Sequence, residues 1–303
     1  LGINEENLSR AERYLSELIT FFHPFDNKSS WVSGFEQHAI SGNYTTFTQQ
    51  VSHLLQKLLV KQGKINEALI VAEKVRSIEL ERLLYGELEL LGSGEYTLVR
   101  HLGIRVRESE TSPAIFYDPT IESIRQTAQK ENATFVYYSL ISPTDLYIWV
   151  IKPSGEIKFR MSNPESLGFS LEQFPRGPFF NPDDGRDIGH GISLILRDVR
   201  KSLGVSEVFS NSSSQDSRTS FSNLSQTESL QKLYELLVKP VADLLPKSSE
   251  EHVIFVPEGN LLFVPFSALI KNISESNNQP HYLIDDHTIR VVQNLRSLDL
   301  INL

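Results

Sequence analysis

The residues able to do chemistry in this 303-residue chain are few, and one class is missing. There are no cysteines, which removes disulfides, thiolate metal sites and a cysteine nucleophile from these residues. Eight histidines are present, but His252, His281 and His287 show no metal-ligand spacing such as His-x-x-x-His. The run Asn181-Pro182-Asp183-Asp184-Gly185-Arg186-Asp187 is rich in oxygen ligands. It lacks the alternating spacing and terminal Glu of a calcium loop and reads as a solvated turn. Ser220 offers a hydroxyl, yet no Gly-x-Ser-x-Gly elbow frames it, and it sits in a run, Ser210 to Ser229, with nine serines in twenty residues. Trp149 fits core packing better than a ligand surface, while Phe174, Phe179 and Phe180 suit either. On these grounds no catalytic, cofactor-binding or metal-binding residue is assigned.

The elements around these residues change character along the chain. Leu8, Ala11, Leu15, Leu18, Ile19 and Phe22 recur at helical spacing, as do Val51, Leu54, Leu55, Leu58 and Leu59 within Phe47 to Gln62. Gly63-Lys64 stops that second helix. A third is expected over Asn66 to Tyr85, with Ala68, Leu69, Ala72, Val75, Ile78 (or Leu80), Leu83 and Leu84 inward. A short helix fits Ile121 to Lys130. Then ATFVYYSLI, LYIWVIK and EIKFRM, parted by Ser142-Pro143-Thr144-Asp145 and Pro153-Ser154-Gly155, predict a β-meander over 133–161. Tyr147, Trp149 and Ile151 alternate with Leu146, Ile148 and Val150, so both faces are apolar and the strand belongs inside a sheet.

Residues 161–191 read as an irregular loop and Ile192 to Leu203 as a helix. The serine run 210–229 cannot bury enough apolar surface to order itself and is expected to be a disordered insertion. Leu230 to Leu245 is helical, kinked or split at Pro240. The segment VIFVPEGNLLFVPFSALI predicts a buried strand, a turn at Pro257-Glu258-Gly259-Asn260, and a second apolar run broken by Pro265. At that turn Glu258 has two readings, a charged group beside a substrate cleft or a part of the turn. The structural reading is preferred, with Gly259 supplying positive φ and Pro257 pre-setting the bend.

Gly63, Ala68 and Ala72 lie at the spacing of the glycine, alanine and second-helix packing positions of a tetratricopeptide repeat, which the helical hairpin resembles. Val75 stands where that motif prefers alanine. From Gly63 to Leu303 the order of motifs is similar to the CHAT family, the caspase-like peptidase domains that follow such repeats in bacteria. The residues that carry this are Pro257-Glu258-Gly259-Asn260-Leu261, Val264-Pro265-Phe266-Ser267-Ala268-Leu269 and Tyr282-Leu283-Ile284-Asp285. Glu258 replaces the usual Asp, and Gln293-Asn294 replaces Pro-Ser before the final Leu-x-x-Leu.

The resemblance implies an α+β or α/β chain in four parts. These are a tetratricopeptide-like helical region at 1–92, an α/β N-terminal part of the CHAT region at 93–209, the serine-rich insertion at 210–229, and the start of a caspase-like core at 230–303. It also implies a cysteine peptidase, activated when a protein partner engages the repeats and acting on a protein substrate. The catalytic His-Gly and Cys would lie C-terminal to the matching segment, so the core would be incomplete here. His190-Gly191 is the chain's His-Gly pair, but no apolar strand leads into it and it reads as a loop residue. The rival expectation is a non-catalytic scaffold that only binds a partner.

Composition bounds the partners. With 38 acidic residues against 29 Lys+Arg and no basic block, the charge balance argues against broad phosphate-backbone binding. No apolar run approaches the roughly 18 residues of a membrane span. The absent cysteines and the lack of a signal pattern at Leu1-Gly2-Ile3-Asn4 fit a cytoplasmic protein; residues upstream of Leu1 are expected to have been removed or omitted. Were the chain to stop at Leu303, its last strands would leave an exposed sheet edge prone to dimerise or aggregate.

Overall fold

The computed structural model describes residues 5–21, 43–90, 118–142, 145–163, 225–248, 251–274 and 278–301. These fall into two compact units, one of residues 1–127 and 292–303, the other of Ala128–Val291.

The first unit is built on helices α1 (Glu5–Phe21), α2 (Asn43–Lys61) and α3 (Ile65–Leu90). The α2–α3 turn follows from Gly63. Its N–H donates to Val60 O at 3.0 Å and the Lys64 N–H to Leu59 O at 2.9 Å, the paired bonds of a Schellman stop. That stop needs a left-handed residue, and Gly63 has φ 76°. Lys64 Nζ then reaches Glu12 Oε2 on α1 at 2.7 Å. Ala68, Leu69, Ala72, Val75 and Ile78 are all buried, so the small residues of α3 face inward as their spacing predicts. Leu18 and Leu54 depart from expectation. They belong to the predicted apolar stripes but are exposed, Leu54 at 59%. A 3.6-residue period leaves a stripe's flanking positions at its rim, and both leucines occupy that rim.

The second unit is a five-stranded sheet in the order β3-β2-β1-β4-β7. Helix α4 (Ile121–Glu131) leads to β1 (Ala133–Ser142), β2 (Asp145–Ile151) and β3 (Ile157–Ser162), which pair antiparallel as the predicted meander. Between α4 and β1, Asn132 takes φ 47°, a left-handed conformation that Asn tolerates. On the other flank of β1 run β4 (His252–Val256) and β7 (Thr288–Val291), both parallel. Strands β1 and β2 are buried along almost their whole length, which fits their two-sided apolar pattern.

One face of the sheet packs on α5 (Gln226–Leu237) and the 3-10 turn Lys239–Val241. Pro240 sits within that turn, lacks an N–H to extend the helix, and so ends α5 where a kink or split was expected. The start of α5 corrects the reading of the serine run. Residues 225–229 are ordered, because Ser225 and Glu228 form a reciprocal capping box that satisfies the first free amides of the helix. Residues 210–224 lie outside the described residues, as do 164–209.

Beneath this face Phe255 and Phe266 stack at 4.3 Å with rings 12° apart, and Tyr138 lies over Phe266 at 5.9 Å. The Tyr138 hydroxyl donates to Leu237 O at the end of α5 at 2.8 Å, and burial raises its pKa well above the ordinary tyrosine value. Phe266→Ala should destabilise the unit by about 3–5 kcal/mol through the lost aromatic volume. Tyr138→Phe should cost about 1–3 kcal/mol by leaving that carbonyl unpaired. Urea unfolding of both variants against wild type checks the order.

Candidate functional site

Parallel strands deliver their loops at one end of a sheet, and the loop leaving β4 carries the turn singled out in the sequence. The β1–β4 ladder ends at Tyr137↔Val256, but β1 continues to Ser142. The strand therefore runs past its parallel neighbour with backbone amides still to satisfy. Glu258 fills this gap: its Oε2 accepts the Leu140 N–H at 2.7 Å and the Ser139 hydroxyl at 3.1 Å. A carboxylate here does the work of the next residues of a longer β4. Ser139 is fully buried, so the pairing removes a polar group that would otherwise be costly to enclose.

The turn that aims Glu258 is fixed by its neighbours. Gly259 has φ 53°, and a Cβ there would meet nothing within 4 Å. Glycine is thus required by backbone conformation rather than by space. The chain then makes two 3-10 turns, Gly259–Phe263 and Phe266–Ala268, separated by Val264 and Pro265. Phe266 drops into the aromatic stack and Leu269 is buried.

From there β5 (Ile270–Ile273) pairs with β6 (Pro280–Tyr282), and α6 (Leu283–Asp286) follows. Leu283 N–H donates to Leu269 O at 2.8 Å, and Ile270 lies opposite Tyr282. The two later sequence motifs, Val264–Leu269 and Tyr282–Asp285, are therefore in direct contact. Asp285 also ends the hairpin by accepting the Tyr282 N–H at 2.8 Å.

An ionic cluster closes this corner. Asp286 accepts from Lys271 Nζ at 2.8 Å through Oδ2 and lies 2.8 Å from His281 Nε2 through Oδ1. Burial opposes ionisation of Asp286, but the bonds from Lys271 and His281 outweigh it and hold the carboxyl below its ordinary value. The bond to Asp286 in turn raises the Lys271 ammonium. His287 is pushed down, mainly by burial.

Of the remaining sequence candidates, Trp149 is fully buried against Tyr137, Tyr147 and Phe159, in the core role preferred for it. His252 is exposed at the start of β4. His190-Gly191, Asn181–Asp187, Ser220, Phe174, Phe179 and Phe180 lie outside the described residues. Among the described residues no three His, Asp or Glu side chains are grouped to hold a metal ion, and no helix is long and apolar enough to cross a membrane. Sequence reasoning missed the Asp286 cluster. Lys271 and His281 sit on opposite strands of a short hairpin, and only its register brings them together.

Residues 227–302 match the family model of the CHAT domain, so the segment from α5 through α7 (Arg296–Ile301) is similar to that domain. Comparison with curated proteins and with solved structures gives no match.

Two outcomes are expected. Glu258→Ala should cost about 1–3 kcal/mol by leaving the Leu140 amide unpaired, and Glu258→Gln, which keeps an acceptor, should cost less; denaturant unfolding and amide exchange at Leu140 read both. Asp286, depressed in the folded state, stabilises above its unfolded pKa, and this is lost as pH falls through the folded value. Lys271, raised when folded, stabilises below its unfolded pKa, and this is lost as pH climbs through the folded value. The stability difference between wild type and Asp286→Asn should therefore shrink below about pH 4 and above about pH 10.4.

Proposed function

From the CHAT domain over residues 227–302, we infer that this chain is the sheet-building part of a caspase-like cysteine peptidase whose nucleophile lies in the parent protein outside these residues. The observation that carries this reading is the match of residues 227–302 to the CHAT domain. The chain itself has no cysteine, and motif residues such as Gly259, Phe266 and Leu269 serve the turn and the core.

The chemistry of such a peptidase needs an imidazole that takes a thiol proton and a thiolate that attacks a peptide carbonyl. What these residues contribute is a frame. Strands β1, β4 and β7 run parallel, and open α/β sheets bind ligands outside the carboxyl ends of such strands. Glu258 and the two 3-10 turns shape that end. The α2–α3 hairpin, with Gly63, Ala68 and Ala72 at tetratricopeptide-like spacing, suits a protein partner whose binding activates the parent. The same family resemblance implies a bacterial protein acting on another protein, and the absent cysteines support a cytoplasmic setting.

The alternative is a scaffold that binds partners without cutting them, and the missing thiol favours it equally within these residues. Treating the complete protein with iodoacetamide, in the presence of the partner that engages its helices, separates the two. A peptidase loses its cleavage of the partner-delivered protein, and mass spectrometry finds one alkylated cysteine beyond residues 1–303. Cleavage that survives alkylation, or a complete protein without cysteine, overturns the peptidase reading.

A further inference from the structure

Two histidines flank α6, one just before it and one just after, and their surroundings differ. His281 on β6 lies 2.8 Å from Asp286 Oδ1, while Lys271 of β5 holds the other oxygen at 2.8 Å. His287 is the single residue between α6 and β7, and its extended backbone, φ −144° and ψ 145°, turns the chain into the sheet. Its side chain is half-buried. The ring nitrogen Nδ1 is fully enclosed and has no hydrogen-bond partner among the described residues. A neutral imidazole has one donor and one acceptor nitrogen. An enclosed nitrogen without a partner costs less as a lone pair than as a charged donor, so the hydrogen of the neutral ring belongs on Nε2.

The charged groups facing this ring come from three places: Asp286 on α6, Lys271 on β5 and Glu251 ahead of β4. His252 lies opposite Thr288 in the β4–β7 ladder, so Glu251 and His287 enter neighbouring strands side by side. Glu251 and Asp286 favour an imidazolium and Lys271 opposes it, but burial outweighs them and pushes His287 down. Asp286 is a weak counter-ion here because Lys271 and His281 already engage both of its oxygens.

We propose that His287 is an acid-sensitive catch at the entry to β7: the α6–β7 corner stays closed while the ring is neutral, and protonation at Nδ1 loosens it because the added N–H has no acceptor there. The contacts it holds are the Leu283 N–H on Leu269 O at 2.8 Å and the ladder of β7 on β4, all within one compact unit. A histidine held below its unfolded value contributes stability that is fully present above about pH 6.5. That stability is lost as pH falls from there through the folded value. His281 responds in the opposite sense, since a charge on its ring strengthens the bond to Asp286.

The catch holds whether the parent protein cuts a partner or only binds one, and its test involves no cleavage. Amide hydrogen exchange of the full chain is measured at about pH 7.5 and about pH 5.5, as protection factors, so that the intrinsic pH dependence of exchange cancels. Protection at Leu283 and across Thr288–Val291 should fall several-fold on acidification, by at most about tenfold for each pH unit crossed below 6.5. The ladder between β1 and β2 should keep its protection. His287→Gln, which cannot titrate, should hold the corner level between the two pH values, and His281→Gln should leave the fall in place. A wild type without the fall, a fall that persists in His287→Gln, or one that vanishes in His281→Gln overturns the proposal. Should His287→Gln not fold, titration of the His287 ring by NMR in the wild type decides: a midpoint below about 6.5 supports the catch, and one at or above it overturns it.

Discussion

Strand β1 is buried on both faces and longer than the strand beside it, and most of the second unit follows from that mismatch. Along its β2 side the amides and carbonyls find partners from Phe135 to Ser142. On its β4 side the ladder stops at Tyr137. An amide enclosed without an acceptor costs about as much as a lost hydrogen bond, so the uncovered part of β1 has to recruit acceptors from elsewhere. Glu258 supplies one, and the turn that holds Glu258 in place in turn requires a left-handed residue, which Gly259 provides. The same stretch of β1 carries Tyr138, whose hydroxyl finds its acceptor at the end of α5. The position of α5 and the path of the loop after β4 are thus both set by the needs of one strand.

The motif residues acquire their roles from this geometry. Phe266 completes an aromatic stack with Phe255 and Tyr138, and Pro265 lets the chain break between two 3-10 turns so that Phe266 can turn inward. Leu283 hands its amide to Leu269, tying the hairpin β5–β6 back to the loop it left. Glu258, at the turn of the first of these motifs, acts through its carboxylate. Its side chain reaches the Leu140 amide at 2.7 Å.

How much of this was legible in the sequence depended on range. Local signals were read correctly where one element decided them. The two-sided apolarity of β2, the Schellman stop at Gly63 and the break at Pro240 each need only a few neighbouring residues. The start of α5 was missed because composition was weighed above capping: Ser225 and Glu228 resemble the rest of a polar run until their reciprocal bonds are seen. Leu54 was taken as core because a periodic stripe does not show where its rim lies. Glu73 was invisible for a different reason. A glutamate among alternating charges on a long helix looks solvent-facing, and nothing near it announces two amides from the far end of the chain.

These three kinds of outcome bear on what a family match can mean. Several of the residues that carry the CHAT resemblance serve backbone geometry or packing: Gly259 has a positive φ, Phe266 joins a stack, Leu283 bonds to Leu269, and Leu295 and Leu298 are buried. Such residues are constrained by the sheet whether or not any reaction takes place at its carboxyl end. A thiolate and its imidazole are constrained by the reaction alone and contribute nothing to holding β1, β4 and β7 together. The residues that hold this sheet together are thus separate from those that the proposed chemistry would require. Losing the second set leaves the first under the same physical demands, so the sheet can persist as a binding frame as readily as it can serve an enzyme.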